Sequence, residues 1–224
     1  MSGNLFVLEG LDGSGKATQA TLLCESLKQH GMFCRTVSFP DYAQPSSALV
    51  QMYLGGQFGT RPGDVNAYAA ASFYAVDRFA SYRQFWKNDY EQGTTIVADR
   101  YTTSNLIYQL TKLPRSQWED FLFWVQDFEY GKLELPRPSL TFFLDMPPDI
   151  SQQLLEQRYQ GDNQKKDLHE RDLAYLNACR ESAYYCAQQL SWHVVACSAQ
   201  GKPKTIPEIS TEILRQVLRF SGQS

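Results

Sequence analysis

The stretch LFVLEGLDGSGKATQ, residues 5–19, decides the fold of this 224-residue chain. Leu5, Phe6, Val7 and Leu8 read as a buried strand, Glu9 breaks the apolar run, glycines follow at 10, 13 and 15, and the pattern turns helical from Lys16. The expected order is strand, phosphate loop, helix. Gly10, Gly15 and Lys16 match the spacing G-x-x-x-x-G-K-[ST] through the lysine. Gly10, Gly13 and Gly15 permit backbone conformations in which consecutive N–H groups converge on one oxyanion, and the following helix adds its positive end. Lys16 supplies a point charge for β- and γ-phosphates. The hydroxyl usually found next, which would bind Mg²⁺, is replaced by Ala17.

The remainder of the chain restricts what this loop can serve. Its 21 basic and 24 acidic residues give a net charge of −3, and no run of Lys or Arg suggests a nucleic-acid polymer or an anionic membrane as partner. No apolar segment has the length of a membrane span, and no signal-peptide pattern precedes residue 5, so a cytoplasmic location is expected. The five cysteines, 24, 34, 179, 186 and 197, are odd in number and lack CxxC spacing, and the three histidines are scattered. Reduced, buried thiols are therefore expected, with no zinc site or disulfide framework.

Further apolar runs at residues 32–39, 94–98, 140–144 and 193–197 read as strands, with helical patterns between them. Asp64 is the expected N-cap of a long helix over residues 64–91. Residues 115–130 carry Trp118, Phe121, Leu122, Trp124, Val125 and Phe128 at helical spacing, an apolar face suited to core or subunit interface. Residues 158–166, RYQGDNQKK, are polar and read as a loop. Alternation of strands and helices implies an α/β fold, a five-stranded parallel sheet flanked by helices on both faces, in a single domain over residues 1–224.

A second constellation lies on two helices. Tyr74, Asp77, Arg78 and Ser81 share a face at i, i+3, i+4 and i+7, and Tyr101, Ser104, Asn105 and Tyr108 repeat the spacing just beyond Asp99 and Arg100. Aromatic rings beside Arg, Ser and Asn suit a nucleobase, which needs a stacking surface and directional hydrogen bonds.

With these residues in view, the chain resembles the thymidylate kinases, which phosphorylate dTMP with ATP. The resemblance rests on EGLDGSGKATQ at 9–19, FPDY at 39–42, YAVDR at 74–78, DRYTTSN and Tyr108 at 99–108, and DLHERD at 167–172. It is similar to the bacterial branch whose loop lacks its own arginine, Gly13 standing there, and whose lid is basic. The fold so implied is the P-loop, nucleoside monophosphate kinase type, and a homodimer is implied as well. Gly10, Asp12, Gly13, Ser14, Gly15, Lys16, Ala17 and Thr18 would form the ATP site. Tyr74 would stack on thymine, Arg78 would bond its carbonyl edge, and Asn105 would help with the ring N–H, with Ser104 nearby. Tyr108 would crowd the 2′ position, while Phe39 and Tyr42 would flank the acceptor phosphate. Arg100 would bridge donor and acceptor. A lid over about 158–167 would bring Arg158, Lys165 and Lys166, with Asp167 and Glu170 at its hinge.

Three positions depart from the family pattern, one of them Tyr74, which keeps the ring of the common phenylalanine and adds a hydroxyl that needs a partner. Ala17 implies that Mg²⁺ is held by phosphates and water with help from Asp12 or Asp99. Asp41, where relatives often carry arginine, should weaken acceptor binding unless it turns outward or binds metal. Two rival readings stay open at this point: a kinase for another nucleotide or a nucleoside, with Glu9 as the base for a 5′-hydroxyl, and a nucleotide-binding regulator without turnover.

Overall fold

A computed structural model of the chain describes residues 2–59, 61–158 and 173–222, without the side chains at 62 and 156–158. Its centre is a parallel sheet of β1 (Leu5–Gly10), β2 (Cys34–Ser38), β3 (Thr95–Asp99), β4 (Leu140–Asp145) and β5 (His193–Ala196), in the order β2-β3-β1-β4-β5. Parallel strands are covered on both faces, which is why β1 reads as a continuous apolar run with every residue buried. Side chains still alternate along it. Phe6 and Leu8 pack with Leu23 and Leu27 of α1 (Lys16–Gln29) and with Ile209, Ile213 and Val217 of α9 (Ile206–Phe220). Leu5 and Val7 point the other way, toward Trp86 and Tyr101. Glu9 shares the parity of that second face.

The helices of the second face hold the site. They are α3 (Ala67–Ser81), α5 (Thr103–Gln109), α6 (Trp118–Gln126) and α8 (Leu173–Leu190), packed through Ala71, Leu106, Ile107, Phe121, Val125, Leu176 and Cys179. The short helices α2 (Ala48–Leu54) and α4 (Lys87–Glu91) flank α3, and α7 (Pro148–Arg158) follows β4.

The long helix expected over 64–91 is corrected in two respects. Its N-cap is Asn66, whose Oδ1 accepts the Ala69 N–H at 2.9 Å. Asp64 instead closes a tight turn, Pro62–Asp64, accepting the Arg61 N–H at 3.0 Å. Both residues are good caps, and the chain uses them in succession. Past Ser81 the helix widens into a π-helical turn, Tyr82–Trp86, and α6 ends in another, Asp127–Lys132. The extra residue in such a turn rotates the following side chains; the first turn buries Tyr82 and Trp86 and the second Glu129. A small hairpin, β6 (Ser198–Ala199) with β7 (Lys202–Pro203), was not foreseen from the sequence. All five cysteines are free thiols and buried. Among the described residues no helix is long and apolar enough to cross a membrane.

Candidate active site

The carboxyl ends of β1, β2 and β3 open on one edge of the sheet, the usual ligand edge of an α/β fold. There a cavity of about 540 Å³ joins the glycine loop to α3 and α5. The loop turns through Gly13 at φ 80° and Gly15 at φ 87°, left-handed conformations that glycine adopts without strain. At Gly13 an added Cβ would lie 2.9 Å from the Ser151 carbonyl oxygen, so α7 packs directly on the loop.

Lys16 is buried and donates from Nζ to the Leu11 carbonyl at 2.9 Å, with the Asp12 carboxylate 4.0 Å away. Burial pulls its pKa down to about 8; Arg100 pushes the same way, while Asp12, Asp99 and Glu9 oppose. Asp12, Gly13, Gly15, Lys16, Ala17 and Thr18 line the cavity. Of the expected donor set, Gly10 and Ser14 are outside that lining. Gly10 ends β1, and Ser14 is buried behind the loop, donating its N–H to Leu11 O at 3.2 Å.

Arg100 follows β3 in a left-handed conformation, φ 66°, unusual for a residue with a side chain. Its guanidinium pairs with Asp12 and donates to the Tyr108 hydroxyl at 2.9 Å. Burial works against its charge, but Tyr108, Asp12 and Glu9 outweigh burial and raise its pKa further. The backbone here is fixed by Glu9. That fully buried carboxylate accepts from Tyr101 N at 3.0 Å, Thr103 Oγ1 at 2.6 Å and Ser104 Oγ at 2.8 Å. Its pKa is raised by burial, against the pull of Arg100 and these hydrogen bonds. α5 has no side-chain cap of its own; Glu9 anchors its start from the neighbouring strand through the Tyr101 N–H and the hydroxyls of Thr103 and Ser104. Ser104, expected at the base, lines the cavity with its hydroxyl committed to Glu9.

The acceptor half contains Tyr74 and Arg78 of α3, Asn105 and Tyr108 of α5, and Phe39 and Tyr42 after β2, all lining the same cavity. Arg78 is not on a solvated surface. It is 1% exposed and forms a two-point ion pair with Glu129, Nε to Oε2 at 2.7 Å and Nη2 to Oε1 at 2.6 Å. Asn105 donates to the same carboxylate at 2.8 Å. Asp77 accepts from Asp41 N at 3.0 Å and Ser46 Oγ at 2.6 Å, binding the loop after β2 to α3. Asp41 itself is outside the cavity lining and accepts the Ala43 N–H at 3.3 Å.

Sequence reasoning missed Glu129 as well as Tyr53 and Tyr175, the two tyrosines that also line the cavity. A signal for Glu129 existed: it stands at i+4 from Val125 and i+8 from Phe121, so it extends the apolar face of α6 with a carboxylate. Asp99 lines the cavity with its Oδ1 buried and without a hydrogen-bond partner. Among the described residues no group of at least three His, Cys, Asp or Glu side chains could hold a metal unaided. The Arg158 side chain, Lys165, Lys166, Asp167 and Glu170 lie outside the described residues.

A phosphate loop at the end of the central strand, facing a polar-aromatic cavity across one arginine, defines the class: a P-loop kinase of nucleoside monophosphates. Comparison with known proteins then narrows it. The family model described as "Thymidylate kinase" matches residues 8–205. The thymidylate kinase of Mycobacterium tuberculosis is 30% identical over 172 residues, 75% of this chain and 78% of that protein. A probable thymidylate kinase of Pyrobaculum aerophilum is 25% identical over 215 residues, 95% of this chain and 97% of its own. The solved thymidylate kinase structure from Candida albicans shares the fold, with a TM-score of 0.70 at 22% identity over 99% of this chain and 93% of that one. The chain belongs to the thymidylate kinase family, the ATP-dependent phosphotransferases that convert dTMP to dTDP.

Proposed function

We propose that the cavity holds dTMP against ATP in the glycine loop and that this chain's own residues carry the γ-phosphoryl transfer as follows. The observation that supports this reading is the convergence on one cavity of Lys16 and Arg100 with Tyr74, Arg78, Asn105 and Tyr108. Lys16 and the amides of Gly13 and Gly15 hold the donor phosphates. Tyr74 stacks on the base, Arg78 and Asn105 meet its edge, Phe39 and Tyr42 flank the acceptor phosphate, and Tyr108 crowds the 2′ side. Arg100 exchanges part of its contact with Asp12 for the two phosphates it bridges, a place suited to a planar fork.

No general base is needed, because a phosphate monoester with a second pKa of about 6 is already an anion near neutrality. The obstacle is repulsion between two anions, which fixed cations reduce while alignment lowers the entropic cost. A nucleoside acceptor would need a base at its 5′-hydroxyl. Glu9, the carboxylate beside the loop, has no exposure and spends its oxygens on Tyr101, Thr103 and Ser104, which favours a monophosphate acceptor.

The residues fit a magnesium ion. Asp99 offers a buried oxygen without a partner, Asp12 stands on the same cavity, and Ala17 offers none. Asp99, with Asp12, would hold Mg²⁺ through its water shell, and the ion would neutralise phosphate charge there. We further read the chain as one cytoplasmic domain over 1–224 with a basic lid at about 158–167 that brings Arg158, Lys165 and Lys166, with Asp167 and Glu170 at its hinge. We read it also as a homodimer through the exposed apolar residues Tyr68, Val76 and Phe79 of α3 and Phe123 of α6. The deciding experiment is turnover of ATP with dTMP, dUMP, dCMP, AMP and thymidine. Preference for dTMP is expected, and turnover of thymidine without dTMP, or tight binding of both ligands without ADP, would overturn the reading.

A further inference from the structure

Glu129, in the π-helical turn after α6, does not line the cavity yet binds both residues that read the base. Arg78 spends Nε and Nη2 on its two oxygens, at 2.7 and 2.6 Å. Asn105 Nδ2 donates to Glu129 Oε1 at 2.8 Å and to the Ala71 carbonyl at 3.1 Å. We propose that Glu129 is a positioning residue that sets which pyrimidine the site accepts, by fixing the polarity of the edge that Arg78 and Asn105 present.

The inference rests on the reading above that these two side chains meet the base edge. A carboxylate oxygen and a backbone carbonyl are both acceptors, so the side of the Asn105 amide that faces them must be its NH₂. Its Oδ1 is thereby turned to the other side, toward the cavity that Asn105 lines. The two-point pair with Glu129 likewise fixes the guanidinium plane and leaves Nη1 of Arg78 as the donor toward the cavity. Glu129 has no exposure and Arg78 almost none, so neither reorients at small cost.

The edge offered to a base is therefore one donor and one acceptor in fixed order. Thymine and uracil carry the complement, O4 to accept from Arg78 and N3–H to donate to Asn105. Cytosine carries the reverse, an amine facing the guanidinium and a bare N3 facing Oδ1. Both contacts become like against like, which is rejection built into the site. Without Glu129 the Ala71 carbonyl alone holds the Asn105 amide, which then turns over at lower cost to satisfy cytosine N3 with its NH₂.

The test is kcat/KM with ATP for dTMP and for dCMP in the wild type, Glu129→Ala, Glu129→Asp and Asn105→Ala. Both Arg78 Nη2 and Asn105 Nδ2 donate to Oε1, so Glu129→Ala removes the acceptor they share. It is expected to lower the dTMP:dCMP ratio by about tenfold or more, the weight of one satisfied hydrogen bond, with the loss falling on KM for dTMP more than on kcat. Glu129→Asp keeps a carboxylate on a shorter stem and should give a ratio between those of the wild type and Glu129→Ala. An unchanged ratio in Glu129→Ala overturns the proposal. Should that variant fail to fold, Glu129→Asp decides: a lowered ratio supports the proposal, and an unchanged one overturns it. Asn105→Ala separates the two layers. If it keeps the preference, the reading of the base edge fails; if it loses it while Glu129→Ala does not, only the role of Glu129 fails.

Discussion

At the scale of single residues, Lys16 carries the clearest pH signature. Its pKa in the substrate-free protein is pulled down to about 8 by burial. Because kcat/KM reports the free enzyme, kcat/KM for ATP should fall on the alkaline side near that value. The bound triphosphate stabilises the charged form, so kcat should hold to higher pH. A kcat/KM that stays flat into the ordinary lysine range would sink this expectation. The same shift bears on stability. The folded value lies below the unfolded one, so the unfolded chain binds more protons between them. This lysine therefore destabilises the fold at lower pH, and the penalty is relieved as pH rises through its folded pKa, a slope that Lys16→Met should abolish in denaturation measured across pH. Gly13 is a second such residue. Gly13→Ala forces a side chain into a left-handed position, at about 1–2 kcal/mol, and against the Ser151 carbonyl. Urea denaturation should show at least that loss, with weaker ATP binding; an unchanged midpoint would mean that the loop bends elsewhere.

Elements show where sequence patterns suffice and where they stop. The inner strands β1, β3 and β4 were legible because burial on both faces leaves a continuous apolar run, and the loop was legible because its glycines and lysine act within a few residues. The faces of α3 and α5 were also readable, since Tyr74 with Arg78 and Asn105 with Tyr108 follow helical spacing. For Glu129 helical spacing marks an inward position and no more, because its meaning depends on Arg78, 51 residues away. The N-cap of α3 was hidden because Asp64 and Asn66 are both good caps and only the turn at Pro62–Asp64 distinguishes them. Helical spacing puts Asp77 on a base-facing surface, whereas it ties the loop after β2 to α3. Asp77→Ala removes the acceptor for two donors, at about 1–3 kcal/mol. KM for dTMP should rise while KM for ATP stays near the wild-type value; an equal rise in both would point to general unfolding of the edge.

For the molecule as a whole, α3 and α6 together form an exposed apolar face. Val76 is 47% exposed and Phe123 63% exposed, and Tyr68 packs edge-on to Trp124 at 4.8 Å, joining the two helices into one surface. A second copy of the chain is the occupant expected from the family. Phe123→Glu places a charge in that surface, and sedimentation is expected to show a dimer for the wild type and a monomer for the variant. A wild type that sediments as a monomer at every concentration would refute the assembly. On the same scale, the fold explains why the donor and acceptor halves are not independent modules. Glu9 leaves β1, the strand that feeds the loop, and holds the first turn of α5, which carries the acceptor side.

The buried thiols have a practical consequence. Cys24, Cys34 and Cys197 lie in the layer packed by α1 and α9, whereas Cys179 and Cys186 are carried by α8 on the opposite side of the sheet. Each layer thus contains its own reporters of opening. Mass-resolved alkylation of the natural chain would time the exposure of the two sides separately, without an engineered probe. Substrate should slow the α8 group most if the acceptor cavity is what clamps that layer shut.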